Sequence, residues 1–325
     1  ESSQLRPTLM KTLLVGLARR SVASCVVVTL LIGFARWFWL SDLLANLRIQ
    51  VIAAMLVSLG LVMFARQKWA TIVVTVCLSI QCLAVLRQYQ PQEIPEAGRP
   101  ISSLLTLNCL TTNRNTDAIV ATIRDADADL VALLEVNAWQ RDQIMPQLEA
   151  RYPHTVFELD AEGNFGIALL SRSPLTETKN FQATPGIDSI QTMWNGMLVI
   201  ATHPLPPVGA SRFASRNEHL RSVAERIGSV RQGGDGKQCV VMGDFNVTPW
   251  SPIFRDFQRA SGLQSAKSGF GLQPTWYAGR ESFLMGLVLD HLLVSKQMNC
   301  VDYQVTDDFG SDHRGVLAKI QRKTD

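Results

Sequence analysis

The chain has 325 residues, 47% hydrophobic and 18% charged, with a formal net charge of +3, and that length admits one large domain or two small ones. Three cysteines (Cys109, Cys239, Cys300) follow residue 100, and their odd number and lack of metal-type spacing exclude a disulfide framework or a zinc motif there. The averages conceal an asymmetry: residues 1–98 hold nine Lys/Arg and four Asp/Glu, whereas residues 99–325 hold 22 and 24. The C-terminal part is thus slightly acidic, which argues against broad nonspecific nucleic-acid binding, since that depends on many Lys and Arg contacts to phosphates.

Nearly all the excess apolarity precedes Pro91. Segments 21–40, 49–65 and 69–86 each approach the roughly 20 apolar residues that a helix needs to cross a bilayer. They lack the polar stripe of a soluble core helix, so the reading is a membrane anchor over residues 1–89 with three transmembrane helices. Arg36 falls near one end of the first segment beside Trp37 and Trp39, where its charge snorkels into the headgroups. A cleaved signal peptide fits poorly, because three apolar segments follow one another without a single core leading to a cleavage site. Arg6, Lys11, Arg19 and Arg20 precede the first segment, and Arg66 and Lys68 separate the second from the third. The positive-inside rule then predicts a cytoplasmic N-terminus in a cell (inner) membrane, with everything after Leu86 extracytoplasmic or periplasmic. Residues 90–100, rich in proline, read as a semi-extended linker, and residues 101–325 as a domain with its own core.

In that domain, apolar strands repeatedly end in polar residues. Residues 101–110 alternate as a half-buried strand that Asn108 closes, and Asn115 or Thr116 caps a helix carrying Ile119, Val120 and Ile123. A buried strand over 129–135 ends in Glu135; a helix at 138–150 and strands near 154–159 and 166–171 follow. The strand at 197–203 ends in His203, where Pro204, Pro206 and Pro207 forbid its continuation. A helix over 213–230 leads through Gly233, Gly234 and Gly236 to Val240-Val241-Met242-Gly243-Asp244-Phe245-Asn246, where strand alternation puts Asp244 and Asn246 on one side. The Thr248-Pro249-Trp250-Ser251-Pro252 run reads as a helix entry with proline in the first turn, and two more strands or strand edges follow at 287–294 and 310–317, each carrying an Asp-His pair. Taken singly, each polar end also suits a turn or a satisfied core residue; their joint order is what carries information.

Leu107-Asn108, Leu133-Leu134-Glu135, Thr202-His203, Gly243-Asp244-Phe245-Asn246, Leu289-Asp290-His291 and Ser311-Asp312-His313 together resemble the endonuclease/exonuclease/phosphatase superfamily, over residues 101–320. The segments around Trp250 and Pro274-Thr275-Trp276 look like its membrane-anchored bacterial members. The resemblance implies an α/β (α+β) class, a four-layer DNase I-like β-sandwich flanked by helices, and hydrolysis of phosphate esters with Mg²⁺ (or Mn²⁺). It implies metal ligation by Glu135 with Asn108 and Asp312, a shell that suits Mg²⁺, which takes one or two carboxylates and substrate phosphate oxygens. His313, oriented by Asp290, is expected to act as general base or to hold the phosphate. Asp244 is expected to position the nucleophile, Asn246 to donate to a phosphoryl oxygen, and His203 to meet the phosphate or leaving group. Two departures stand out: Leu134 where many relatives carry Gln, and Leu110 where the abasic-site branch carries Asp. The expected partners are a phosphodiester substrate, nucleic acid or phospholipid, and the lipid bilayer; the competing expectation is an inactive membrane-tethered scaffold. Trp276 and Tyr277 read either as a stacking surface for a substrate ring or as loop packing.

Overall fold

The computed structural model describes residues 2–89, 98–160, 164–232, 238–279 and 285–323. The core of the predicted linker, 90–97, and the glycine-rich stretch before the 240–246 strand lie outside the described residues. Two compact units emerge, Glu1–Arg87 with Trp250–Pro252, and Gln88–Pro249 with Ile253–Asp325.

The first unit holds four helices: α1 (Ser2–Gly33), α2 (Trp39–Asn46), α3 (Arg48–Phe64) and α4 (Lys68–Leu86). By length and composition Thr12–Gly33 and Lys68–Leu86 suffice to cross a membrane, and α2 with α3, which meet at 73°, make a third only if the bent pair is one span. The first apolar helix therefore ends well before residue 40. After Gly33 the chain turns, with the Phe34 and Ala35 N–H groups donating to Leu31 and Ile32, and Arg36 stands in that turn rather than inside a helix. Ala18, Cys25, Met55, Val62, Val74 and Cys77 form the contact between α1, α3 and α4, mixing small and β-branched side chains that let helices approach closely. Gln81 Nε2 donates to Thr29 Oγ1 at 3.3 Å across that contact.

The second unit opens with β1 (Ile101–Asn108), α5 (Thr116–Ala126), β2 (Leu130–Leu134), α6 (Ala138–Leu148), β3 (His154–Glu158) and β4 (Ile167–Ser171). It continues through β5 (Leu175–Thr184), β6 (Ile187–Trp194), β7 (Met197–Thr202), α7 (Ala210–Gln232), β8 (Cys239–Asp244) and α8 (Pro252–Ser261). The remaining strands are β9 (Leu263–Ser265), β10 (Trp276–Tyr277), β11 (Gly286–Leu287), β12 (Asp290–Ser295), β13 (Met298–Val305) and β14 (Val316–Arg322). One six-stranded sheet runs β13-β14-β1-β2-β4-β3 and the other β5-β6-β7-β8-β12-β9, while β10 and β11 form a small ribbon.

Three apolar layers follow from strand alternation. Leu104 of β1, Leu130, Ala132 and Leu134 of β2, Met197, Val199 and Ala201 of β7, and Val240 and Met242 of β8 share one core between the sheets. Their neighbours Leu105, Leu107, Val131 and Leu133 point the other way and pack on α5 and α6 through Ile119, Val120, Ile123 and Ile144. Leu198, Ile200 and Val241 pack on α7 and α8 through Leu220, Val223, Ile227, Phe254 and Phe257. The central strands are thus apolar on both faces, which explains their continuous hydrophobic runs. The helices start as their sequences direct: Asn115 Oδ1 accepts from the Ala118 N–H at 3.2 Å, Asn137 and Gln140 form a reciprocal capping box, and Pro252 takes the first position of α8.

Three readings need correction. The strand around Asp244 ends there, not at residue 246, because Asn246 has φ +50°, outside the extended region. Phe245 drops into the layer under α7 and α8. The segment expected as a strand over 310–317 pairs only from Val316; before it, Ser311-Asp312-His313 is a loop joined to Trp276 by an isolated bridge at His313. The 287–294 run breaks at Val288-Leu289 into β11 and β12. Strands β5 and β6 lack a clear apolar signal in the sequence, and β13 interrupts its row of Met298, Cys300, Tyr303 and Val305 with a register shift between Cys300 and Asp302. β5 is largely exposed, and β6 buries Ser189, Gln191 and Thr192 because each has a polar partner: Ser189 with Thr202, Gln191 with Arg226, Thr192 with the Thr176 carbonyl.

Candidate active site

Apart from Thr106 on β1, the inward face of each central strand is apolar until the polar residue at its end. On β1 the row Leu104, Thr106, Asn108 ends in an amide, and on β8 the row Val240, Met242, Asp244 ends in a carboxylate. β12 runs antiparallel to β8 with Asp290 directly opposite Asp244, so its first residue lands at the same end of the sandwich. His203 follows β7 in the same row as Val199 and Ala201. Glu135 breaks the pattern instructively. Alternation after Leu134 would send it outward, but its φ of +55° swings the side chain back, and its Oε1 accepts from Asn108 Nδ2 at 2.9 Å.

The resulting cluster is tight. Asn108 Nδ2 lies 3.3 Å from Asp244 Oδ2, which lies 3.5 Å from His203 Nε2 and 3.6 Å from His313 Nε2. His203 Nε2 is 3.9 Å from Glu135 Oε1, and His313 Nδ1 is 2.8 Å from Asp290 Oδ2. Asn108, Asp244, Asp290, His203 and His313 are all buried, while the Glu135 side chain keeps 15% of its surface open. Two like charges opposite each other on β8 and β12 are costly alone, and the imidazoles between and beside them offset that cost. Burial by itself lowers the pKa of His313, but the Asp290 and Asp244 carboxylates outweigh it and push the value up to about 10. Burial also opposes protonation of His203, and hydrogen bonding and charge from Asp244 again raise its pKa. Desolvation would raise Asp244, yet the charges of His313 and His203 hold it below the usual carboxylate range; Asp290, dominated by burial, sits above that range. The Asp290 and Asp244 carboxylates thus favour the protonated form of the His313 ring.

Asn246 adjoins the cluster through its backbone: its N–H donates to Asp244 Oδ1 at 2.8 Å, and its Nδ2 donates to the Pro204 carbonyl at 3.0 Å. Asp312 stands next to His313, but its carboxylate accepts from Trp276 Nε1 at 2.9 Å. Further side chains support the cluster. Ser311 Oγ donates to the Asn108 carbonyl at 2.8 Å and accepts from the His313 N–H at 3.1 Å, tying the last loop to β1. Thr275 Oγ1 accepts from the Leu289 and Asp290 N–H groups, both at 3.0 Å, and so fixes the start of β12. The Phe165 ring lies 5.1 Å from that of His203. Ser311 lies within the Ser311-Asp312-His313 motif, and its hydroxyl accepting from the N–H two residues on makes an ST-turn; Thr275 lies within the Pro274-Thr275-Trp276 segment, whose sequence does not reveal this contact, and Phe165 leaves no local signal.

Ligand atoms of Asp244, Asp290 and His313 lie within 4.8 Å of one another, all buried, as a divalent-cation site requires. The donors suit Mg²⁺ or Mn²⁺, being mainly carboxylate oxygens with one imidazole and no thiolate. Asp290 Oδ1 and His203 Nδ1 are buried without a hydrogen-bond partner, so the cluster retains polar capacity that its own side chains do not use.

Comparison with known proteins gives the cluster a context. No curated protein matches the sequence. Among solved structures, the chain is similar to an endonuclease/exonuclease/phosphatase from Beutenbergia cavernae, at 22% identity and TM-score 0.54 over 69% of this chain and 72% of that one. A Neisseria 3′ phosphatase bound to product DNA hairpin matches at 20% identity and TM-score 0.57, over 67% of this chain and 98% of that one. The human Nocturnin catalytic domain with bound sulfate matches at 20% identity and TM-score 0.55, over 69% and 96%. At these identities the likeness establishes the fold: central sheets flanked by helices. The sequence itself matches the Endonuclease/Exonuclease/phosphatase family over residues 105–313, a span that contains every member of the cluster. With its buried Asp244-Asp290-His313 group of a divalent-metal-dependent hydrolase, the chain belongs to the endonuclease/exonuclease/phosphatase family.

Proposed function

We propose that this protein is a membrane-anchored phosphodiesterase that cleaves a phosphate ester of nucleic acid or phospholipid by in-line attack of water, with Mg²⁺ or Mn²⁺. The observation that carries this reading is the convergence of Asn108, Glu135, His203, Asp244, Asp290 and His313 at one end of the sandwich, linked by contacts of 2.8–3.9 Å. An inactive scaffold has no use for a buried cluster of that cost. Asp244 faces Asp290 and His313 on one side and Asn108 with Glu135 on the other, so it belongs to either arrangement of ligands; because His313 already engages Asp290, Asp244 and Glu135, steadied by Asn108, would hold the cation. The cation would neutralise phosphoryl oxygens and lower the pKa of a bound water. His313, which favours the protonated form, would donate to phosphoryl or leaving-group oxygens as negative charge builds up, and His203, whose pKa Asp244 raises, would meet the same oxygens. Asp244, kept anionic, would accept a hydrogen bond from the attacking water and orient it. Asn246 would join from the adjacent turn, and Asp312 would act through Trp276 on the loop carrying His313. The anchor reading rests on Thr12–Gly33, Lys68–Leu86 and the bent α2–α3 pair; Lys11, Arg19 and Arg20 in the first half of α1, with Arg66 and Lys68 between α3 and α4, support a cytoplasmic N-terminus with the catalytic domain outside if the bent pair is one span.

The test uses the purified full-length protein on DNA, RNA, phospholipids and bis(p-nitrophenyl) phosphate in parallel, with Mg²⁺ or Mn²⁺ and with EDTA. Release of product that EDTA abolishes, and that Glu135→Gln reduces strongly, is expected. Hydrolysis indifferent to EDTA, or full activity in Glu135→Gln, overturns the proposal.

A further inference from the structure

Helix α7 packs on β7 and β8 mainly through Leu220, Val223 and Ile227, but its N-terminal half turns two polar side chains inward. Arg216 and His219, three residues apart and so neighbours on one helix face, are both fully buried. Neither belongs to the cluster of Asn108, Glu135, His203, Asp244, Asp290 and His313. Each holds the end of a different strand.

Arg216 reaches the turn after β8. Its Nη1 donates to the Asn246 carbonyl at 2.8 Å, its Nε donates to Asn217 Oδ1 at 2.7 Å, and its guanidinium lies 5.7 Å from the centre of the Phe213 ring. His219 reaches the last residue of β7, its Nε2 lying 2.6 Å from Thr202 Oγ1. Asn246 joins the two ends: its Nδ2 donates to the carbonyl of Pro204, one residue past His203, and its N–H donates to Asp244 Oδ1. A closed circuit therefore runs from Arg216 to Asn246 and Pro204, back through His203 to Thr202, and by His219 to α7 again. The residues it ties together include His203 and Asp244, whose Nε2 and Oδ2 stand 3.5 Å apart.

The turn at Asn246 needs such a tie. Its φ of +50° is left-handed, a conformation that a residue other than glycine keeps where its surroundings fix it. It also lies past the last ladder pairs of β8, Met242 with Ala201 and Asp244 with Asp290, so the Asn246 carbonyl takes a donor from α7. Stability alone does not call for arginine at this place. A buried charge loses its hydration, and a well-packed apolar side chain of similar volume often serves a core as well or better. An apolar side chain cannot, however, fix the Asn246 carbonyl.

We infer that Arg216 is a positioning residue for hydrolysis: by holding the Asn246 turn it sets the Asp244 carboxylate against His203 and the attacking water. The inference rests on the hydrolytic reading of the cluster, and Arg216 acts through Asn246 and Asp244 rather than on the substrate.

Full-length wild type, Arg216→Met and Arg216→Lys are compared with Arg226→Gln. The last removes another α7 arginine, whose Nε donates to Gln191 on β6 at 2.7 Å, about 15 Å along the helix from Arg216 at roughly 1.5 Å per residue. Hydrogen–deuterium exchange is read by mass spectrometry on the peptide containing Asn246, and hydrolysis of bis(p-nitrophenyl) phosphate with saturating Mn²⁺ is followed in parallel. Arg216→Met speeds exchange around Asn246 and lowers kcat about 10²-fold with little change in KM, as lost transition-state geometry requires. Arg216→Lys keeps the charge and a donor but not the fork that spans Asn246 and Asn217, and falls between, with a loss of about tenfold. Arg226→Gln keeps wild-type exchange at Asn246 and wild-type kcat. If circular dichroism shows Arg216→Met unfolded, Arg216→Lys decides on the same two readouts. Wild-type exchange around Asn246 in the folded Arg216 variants overturns the inference, and so does a kcat within about threefold of wild type. An equal loss of kcat in Arg226→Gln overturns it too, because stability would then be the cause. Exchange does not depend on turnover: a wild type that hydrolyses nothing refutes the hydrolytic reading, and exchange around Asn246 separately decides whether Arg216 holds the turn.

Discussion

Replacing Asp290 with asparagine isolates the charge at the centre of the cluster. The carboxylate is fully buried, pairs with His313 Nδ1 at 2.8 Å, and starts β12 opposite Asp244. Asparagine keeps the shape and offers a carbonyl oxygen to the same Nδ1–H, so the imidazole holds its orientation and loses its counter-charge. At 2.8 Å and an effective dielectric constant near 20, the Coulomb attraction is about 6 kcal/mol. Measured losses on breaking a buried pair are about 3–5 kcal/mol, part of the attraction having been spent on desolvation. If that interaction steadies His313 in the transition state, kcat falls by about 10²–10⁴-fold at 1.36 kcal/mol per decade. The assay is steady-state hydrolysis of bis(p-nitrophenyl) phosphate by full-length Asp290→Asn with saturating Mn²⁺, alongside circular dichroism to establish that the domain is folded. A folded variant with kcat within about threefold of wild type, less than 1 kcal/mol on the same scale, refutes the reasoning.

Two further outcomes follow from packing and protonation. A Cβ added at Gly243 comes 2.0 Å from the Thr202 carbonyl oxygen, and the residue has φ +149°, so Gly243→Ala must push β7 from β8 just where His203 and Asp244 meet. A loss of about 4 kcal/mol or more in urea unfolding is expected, with activity falling in the folded fraction; a loss under about 1 kcal/mol would show that the strand ends yield easily. His219 is buried among Thr184, Ser189 and Thr202, and burial, with the nearby His203 charge, lowers its pKa from 6.5 to about 3. Between those values the unfolded chain binds a proton that the folded one does not, so stability falls as pH drops from 6.5 towards 3, by about 1.4 kcal/mol per unit from this residue. Urea midpoints measured from pH 7 to pH 4 should fall more steeply for the wild type than for His219→Gln, and equal slopes would contradict the assignment.

Much of the catalytic unit was legible in local pattern. Apolar rows on β1, β2, β7 and β8 announce strands that are buried on both faces, and the polar residue that stops each row announces the sandwich end where chemistry collects. The caps at Asn115 and Asn137 and the proline at the start of α8 mark helix starts through hydrogen bonds formed within a few residues. In the N-terminal part, apolarity locates helices but not their ends: a break at Gly33 and a 73° bend between α2 and α3 interrupt segments that composition presents as continuous. Strands β5 and β6 escaped for a different reason. Their polar residues are satisfied by partners brought from elsewhere, such as Arg226 from α7 for Gln191, and such pairings have no signature in their own segment.

What the sequence determined by itself is the inventory: an amide, three carboxylates and two histidines in a fixed order, each next to a strand, since side-chain chemistry and two-residue periodicity are local properties. Only the tertiary structure decided how they meet. The antiparallel register of β12 sets Asp290 opposite Asp244, a left-handed backbone at Glu135 turns its carboxylate inward to Asn108, and the Ser311 hydroxyl ties the His313 loop to β1. These relations join residues up to about 200 positions apart, and their energies come from burial and from shared charge. Neither exists until both sheets have packed, so the protonation of His313 and the aim of Glu135 belong to the fold rather than to any segment.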